Sequence, residues 1–502
     1  MAKYLRRDVW GLAEADPWHP IIEAYALGVR EFQKSGRPEA LTWTYQAAIH
    51  ALPRGQAGDE FLNRCQHFCW FFLPWHRLYL YYFERIVRAA IQTLEEVSED
   101  VKAEWALPYW NYERSAAARS LPPAFRDEKL AGRDEPNPLF IKQRKRGRNQ
   151  GDPLDANDVR SDIARRPDVF AFADGSVGGF AGPAVGPSHA GEVAGADSGE
   201  LENVPHGSVH VQVGGGSGLP GDPENGFMTL FETAGLDPIF WLHHCNIDRL
   251  WEMWLGQGDG HANPPARSPL YTPTFHFHDE NGHPVEKSAE FAVDTATNLE
   301  YTYEDITPPA PPTRRRARRR LTAMSEDAAA TPPEFVGGTR ESITLAGGEE
   351  RVSFETSRPT GPLARRGDGR PERVYLRFEG ITGQQPGITY AVYLNLPEDD
   401  ATEVDPEDYY VGNLAFFGVE RAGDVETDRP GGHGLSHAFD VTELVEALDD
   451  DDEWDPKDVR VTLSPVHSST DAVRRRRSGA GPDPEEAETP EVAIGRVGMY
   501  YR

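Results

Sequence analysis

Cysteine is nearly absent, with three residues in a chain of 502. That excludes a disulfide framework. Lysine is almost as scarce, occurring eight times, so arginine supplies the other 44 of the 52 basic residues. Positive charge is short overall, because 81 acidic residues give a net charge of −29. Such a balance argues against nucleic acid or an anionic membrane as the main partner, and it keeps a protein soluble. No window reaches the ~18 apolar residues that a transmembrane helix needs. The opening MAKYLRRDVWGLAEADPWHP carries basic residues with no apolar stretch behind them. No secretory signal is expected there, and the cytoplasm is the expected compartment. Hydrophobic residues make up 38% and aromatics 10%, enough for a sizeable core. Global disorder is excluded. At ~150 residues per domain, the length points to two or three domains.

The pattern changes along the chain. Ile21–Lys34 and Leu73–Leu94 carry apolar residues at helical spacing, and residues 1–115 read as helical. Residues 116–200 are rich in Gly, Pro, Arg and Asp and read as long loops on a helical frame. Helical periodicity returns at 203–256, and 266–307 reads as irregular with short strands. The segment PPAPPTRRRARRRLTAMSEDAAATPP (308–333) has linker composition. Its run Arg314–Arg320 is a basic patch, but in so acidic a chain it reads as a solvated, protease-sensitive linker. Beyond it the period becomes two in RVYLRFEGI (373–381), TYAVYLNL (389–396), VRVTLSPV (459–466) and EVAIGRVGMYY (491–501). These read as half-buried strands of an antiparallel β domain. FDVTELVEAL (439–448) reads as a short helical turn. The expected division is residues 1–307, a linker at 308–334, and a β-rich domain at 335–502.

Sixteen histidines are present, and their placement is informative. His67 and His76 are nine apart in HFCWFFLPWHRLYLYYFER, so on one continuous helix they would point to opposite sides. They converge if His67 precedes the helix, with Pro74 at its first position. His50 ends a separate apolar stretch, LTWTYQAAIH. A second group begins at PHGSVH, where His206 and His210 are four apart and share a helical face. DPIFWLHHCNIDRLWEMW (237–254) opens with an Asp-Pro helix entry and carries His243 and His244. Neighbouring helical residues point ~100° apart, so at most one of that pair joins the group. Asp248, four beyond His244, either orients a ligand imidazole or caps a polar network. A single His pair is commonplace, and core histidines near Trp and Phe usually bind nothing. Two three-His groups near helix entries suit two metals, with zinc and copper both fitting the donors.

HFCWFFLPWHRLYLYYFER resembles the CuA signature of the tyrosinase, catechol oxidase and haemocyanin family. PHGSVHVQVGG followed by DPIFWLHHCNIDRLWEMW resembles its CuB signature, and LPYWNYE (107–113) the segment between them. The resemblance covers residues 40–256 in order and spacing. It implies a mainly α catalytic domain whose four-helix bundle holds two copper ions, with O2 bound between them. His50, His67 and His76 would hold one copper and His206, His210 and His244 the other, with His243 behind them. The strands after the linker resemble the last domain of plant polyphenol oxidases, a β-sandwich or barrel. That domain covers the copper site until it is removed, which implies a zymogen, and the Arg-rich linker is the expected cleavage point. A lid and a copper-delivery role are both compatible with it.

Cys65-Gln66-His67 matches the Cys-x-His of fungal and mollusc members, which implies a thioether between Cys65 and the His67 ring. Plant members take this Cys from the loop after the first CuA His; here that loop reads ALPRG and holds none. The alternative is that Cys65 and Cys69 are buried thiols, as Cys245 is expected to be. By the same resemblance, Phe231 aligns with the plant gate Phe over CuA. Glu202 aligns with a water-holding Glu, and Gly207 stands where monophenol-active members often have Asn. Together these imply oxidation of o-diphenols to o-quinones, with weak or absent monooxygenase activity. A true tyrosinase and an o-aminophenol oxidase would use the same ligands. An oxygen carrier of haemocyanin type is disfavoured in a chain with one such unit.

Overall fold

The computed structural model describes residues 2–53, 55–161, 172–173, 178–187, 197–216, 226–258, 260–308, 332–357, 373–384, 387–397, 404–422, 434–466 and 491–502. The expected linker, apart from its ends, and the polar stretch 474–490 lie outside the described residues.

The N-terminal part is helical. Its elements are β1 (Tyr4–Arg6), α1 (Val9–Ala15), α2 (Pro20–Phe32), α3 (Trp43–His50), α4 (Phe72–Gln92), α5 (Glu99–Glu104), α6 (Ser208–Gly214), α7 (Phe231–Ala234) and α8 (Pro238–Gly256). A hairpin, β2 (Thr274–His278) and β3 (Pro284–Ser288), and a short strand β4 (Tyr301–Tyr303) follow. Local chemistry sets the helix starts. His19 caps α2, its Nδ1 accepting from Ile21 N–H, and Pro20 takes the first helical position. Asp237 caps α8 through Ile239 N–H, with Pro238 next. The Asp237 carboxylate also takes two hydrogen bonds from the buried Arg144 guanidinium, at 2.8 and 2.7 Å.

Helix α4 starts at Phe72, two residues before the position expected for Pro74. Proline is tolerated there because the first four N–H groups of a helix have no intrahelical partner. His76 consequently lies in the second turn. The parallel pairing of β1 with β4 is a further departure, since the N-terminus reads as helical. It forms because Arg6 is drawn inward to Glu84 (2.7 Å) and Asp248 (3.3 Å).

Between the two helical halves, residues 116–161 form loops with single 3-10 turns, as expected from their composition. Helix α4 packs on α2 and α8 through a continuous aromatic core, in which Phe83 and Trp241 stack with centroids 3.4 Å apart. No helix among the described residues is long and apolar enough to cross a membrane.

The C-terminal part is antiparallel β. Its strands are β5 (Glu334–Gly338), β6 (Ile343–Leu345), β7 (Glu350–Phe354), β8 (Val374–Gly383), β9 (Thr389–Leu394), β10 (Tyr410–Leu414), β11 (Leu435–Asp440), β12 (Val459–Val466) and β13 (Val492–Tyr501). One sheet runs β10-β9-β12-β7 and the other β11-β8-β13-β5, with β6 also on β13. Two helices, α9 (Val419–Ala422) and α10 (Thr442–Asp450), complete it. The four strands read from period two all form. The helix expected at 439–448 begins at Thr442 instead, because Phe439 and Asp440 end β11. Strands β10 and β11 have no two-residue period because they are buried on both faces, one of them against the helical part.

Candidate dicopper centre

Two groups of histidines meet in the core. His50, His67 and His76 form one, and His206, His210, His243 and His244 the other; the ligand atoms within each group lie within 4.8 Å of one another. Helix α3 presents His50 at its C-terminus, the lead-in to α4 presents His67, and α4 presents His76. His206 sits in the turn before α6, where the backbone leaves helical geometry at Val204. Its ring still comes within 4.6 Å of that of His210. Helix α8 supplies His243 and His244. The groups adjoin: the rings of His76 and His244 stack at 4.5 Å, and those of His67 and His206 are 5.6 Å apart.

Outer hydrogen bonds fix the tautomers. The Nδ1 atoms of His50, His76, His206 and His210 pair with the carbonyls of Phe231, Phe72, Glu202 and Met228 at 2.7–3.0 Å. A carbonyl only accepts, so each Nδ1 carries the proton and each Nε2 is left as a lone pair. His67 Nδ1 pairs with Glu202 Oε1 at 2.8 Å. The freed Nε2 atoms turn inward on one another, His50 to His67 at 3.4 Å and His210 to His244 at 3.5 Å. Those of His76 and His206 have no hydrogen-bond partner among the described residues. Burial, with neighbouring imidazoles adding to it, holds His67, His76, His206, His210 and His244 well below the usual histidine range. Neutral imidazoles whose Nε2 lone pairs converge in a buried core suit a cation, and two groups fit two.

Glu202 is buried behind His67. Its oxygens also accept from Phe68 N–H at 3.0 Å, and burial pushes its carboxyl up to about 8. Phe231 lies over the first group, its ring 4.5 Å from His67. His243 stacks on His206 at 5.6 Å and 19°, and it too has a ring nitrogen within 4.8 Å of the ligand atoms of His206, His210 and His244. Cys65 is buried two residues before His67, and Cys245 is buried beside His244. Asp248 has no hydrogen bond to His244 among the described residues; it accepts from Arg77, Arg6, Tyr301 and Tyr303. Of the two roles open to it, it has the network one. It lies one turn beyond His244 on the same side of α8, where α4, β1 and β4 supply its partners in place of an imidazole.

Sequence reasoning missed the residue that closes the site. Phe417, between β10 and α9, projects from the C-terminal part into the pocket. Its ring stacks on His210 at 4.1 Å and 19°, and meets Phe231 edge-on at 4.6 Å. The signal available was LAFFG, two aromatics before a glycine in a non-periodic segment. Gly207 lies beneath it: a Cβ there would meet Ala415 Cβ at 3.3 Å and Phe417 Cβ at 3.4 Å. Between Glu202, His206, Phe417 and His437 remains a cavity of about 20 Å³, room for one water. Around this plug the two parts are bonded. Asn203 Nδ2 donates to Asn413 O and its Oδ1 accepts from Ala415 N–H, while Ser198 meets His437 at 2.8 Å. Arg377 pairs with the buried Asp197 at 3.0 Å.

The comparisons agree with this geometry. Residues 40–257 match the common central domain of tyrosinase, and residues 332–502 match a domain of unknown function, DUF7868. A tyrosinase (HcTyr1) from Hahella sp. (strain CCB-MM4) is 35% identical over 95% of this chain and 96% of its own length.

The chain belongs to the tyrosinase family.

A tomato (Solanum lycopersicum) polyphenol oxidase A is 26% identical over 89% of this chain and 69% of its own. Latent apple tyrosinase shares the fold over 100% of this chain and 98% of its own, with TM-score 0.64 at 22% identity. This tyrosinase-family chain thus has the plant-type architecture, a helical catalytic part and a C-terminal antiparallel β part. Its cofactor is the family's pair of copper ions, used with O2, and it is a copper oxidoreductase of the tyrosinase/polyphenol oxidase group.

Proposed function

We propose that the chain is a latent o-diphenol oxidase, converting catechols to o-quinones once the C-terminal part is displaced. The observation that carries the latency is Phe417, an aromatic ring stacked on His210 where a phenol ring would lie. Bound copper supplies O2 binding and two-electron transfer. The protein does the rest. Main-chain carbonyls hold four imidazoles with Nε2 inward. Glu202 holds His67, and in its ionised form it is the carboxylate nearest the site that can receive a phenolic proton. Phe231 and His243 frame the ring, and the apolar walls exclude bulk water. Phe231 over the first group, and Gly207 with no side chain to orient a water, support diphenol oxidation over monophenol hydroxylation.

Cys65 joined by a thioether to the His67 ring belongs to the same reading. Its signature is the loss of two hydrogens from the intact mass on copper loading in air, absent in Cys65→Ser. Monophenol hydroxylation is the second reading, favoured by the relative named as a tyrosinase at 35% identity. Oxygen uptake by copper-loaded protein separates them, measured intact and after limited proteolysis within 308–333, with catechol, tyramine and o-aminophenol. Catechol uptake that rises on cleavage, with tyramine slow, supports the proposal. Fast tyramine hydroxylation selects the second reading, and preferred o-aminophenol moves the substrate class.

A further inference from the structure

The plug is a peptide, and the pocket holds its backbone as well as its ring. Ala415 N–H donates to Asn203 Oδ1 at 3.0 Å, and the Asn203 amide returns a hydrogen bond to Asn413 O at 2.5 Å. One side chain of the catalytic part therefore spans two peptide units just upstream of the ring, as a neighbouring strand would. The space around the segment is equally particular. A Cβ on Gly207 would stand 3.3 Å from Ala415 Cβ, so the bare glycine leaves room there for a small residue two positions before the ring. Gly418 has φ +86°, and a Cβ on it would stand 2.9 Å from Phe231 Cζ and 3.4 Å from Phe68 Cζ. A glycine after the ring is thus required by both backbone and gate.

We propose that the opened site accepts phenols borne as side chains of a peptide that is extended up to the small residue and turns at the ring, as 416–419 does through Val419 N–H to Phe416 O at 3.0 Å, in the order small residue, any residue, ring, glycine. Asn203 binds the backbone of that peptide. This rests on the oxidase reading and names its substrate class. Once the C-terminal part leaves, the Asn203 amide loses Asn413 O, Ala415 N–H and the His437 ring, and an incoming chain replaces the two main-chain partners. The reaction is that of any catechol: the side chain gives up two electrons and two protons and becomes an o-quinone, and half an O2 becomes one water. No new co-reactant is needed.

The test uses copper-loaded chain clipped in the linker and the peptide acetyl-Leu-Ala-Phe-Dopa-Gly-amide, Dopa being ortho-dihydroxyphenylalanine. Its backbone reproduces 413–418, and its oxygen uptake is compared with that of catechol. The peptide is expected to show a KM about tenfold below catechol's, from the paired hydrogen bonds to Asn203. N-methylation of the alanine amide, which removes the N–H that Asn203 accepts, should raise KM about fivefold. Alanine in place of the final glycine should raise it about tenfold by overpacking against Phe231. Neither analogue requires a variant protein. A peptide KM at or above that of catechol, or equal values for all three peptides, overturns the inference and leaves the oxidase reading intact. Clipped, copper-loaded protein that oxidises no catechol overturns the oxidase reading itself, and this inference with it.

Discussion

Phe417→Ala separates a plug from a bystander. The ring is 6% exposed and packs on His210 and Phe231. Removing a buried Phe ring costs about 3 kcal/mol at the low end of the observed range, through lost transfer energy and the cavity left behind. Those contacts exist only while the C-terminal part is docked, so the loss falls on the closed state. At 1.36 kcal/mol per decade, about 3 kcal/mol shifts the closed-to-open balance about 150-fold. A second effect has the same sign, because the vacated volume is that of a phenol ring. The assay is oxygen uptake with catechol by intact, copper-loaded protein, each sample matched for copper and compared with its own clipped form. Wild type should be strongly activated by clipping. The variant should be at least about tenfold more active intact, and correspondingly less activated by clipping. Phe417→Trp should stay latent. If the alanine variant binds two coppers, folds, and is no more active intact than wild type, the ring is not what closes the site.

Other consequences are as direct. Asp248→Asn leaves the Arg6 and Arg77 guanidiniums, which are both fully buried, without their shared carboxylate. Each guanidinium keeps one carboxylate, Glu84 or Glu252, so stability in denaturant should fall by about 2–3 kcal/mol, and a loss under about 1 kcal/mol would remove Asp248 from the hub role. Asp8 caps α1 while burial pushes its carboxyl from 3.8 up to about 6. A raised folded value means that its contribution is fully present below pH 3.8 and is lost as pH rises through about 6. Asp8→Asn keeps the cap without the charge. It should be more stable than wild type at neutral pH by up to about 3 kcal/mol and equal to it in acid below the unfolded value, as melting curves across pH will show. His76→Ala and His210→Ala should each lower copper from two ions per chain to one by elemental analysis, and retention of both would break the assignment of the two groups.

How far the sequence carried depended on whether a feature is local. The histidine groups were legible because each lies within a short segment, with a helix entry or a four-residue spacing fixing its direction. Strands β8, β12 and β13 were legible because residues on them reach solvent at least in part, and β9, buried but for Tyr393, because its large apolar residues alternate with smaller or polar ones. Strands β10 and β11 were not, since docking against the helical part buries both faces and erases the alternation. Asp248 shows the limit of helical spacing. Four residues place it on the side of His244, but the neighbours on β1 and β4, far away in sequence, decide what it bonds. Phe417 carries no ionisable group and no period, so its role exists only in the docked arrangement.

Phe231 meets the site through two different atoms. Its ring packs on His67 and Phe417, while its carbonyl oxygen holds His50 Nδ1 at 2.8 Å. Phe72, Met228 and Glu202 likewise hold imidazoles through main-chain oxygens. A carbonyl survives any substitution of its own side chain. The ring at 231 is therefore free to change in size or polarity over evolutionary time while the imidazole it anchors stays in place. Substrate choice in this fold can drift one side chain at a time without passing through a form that has lost its metal.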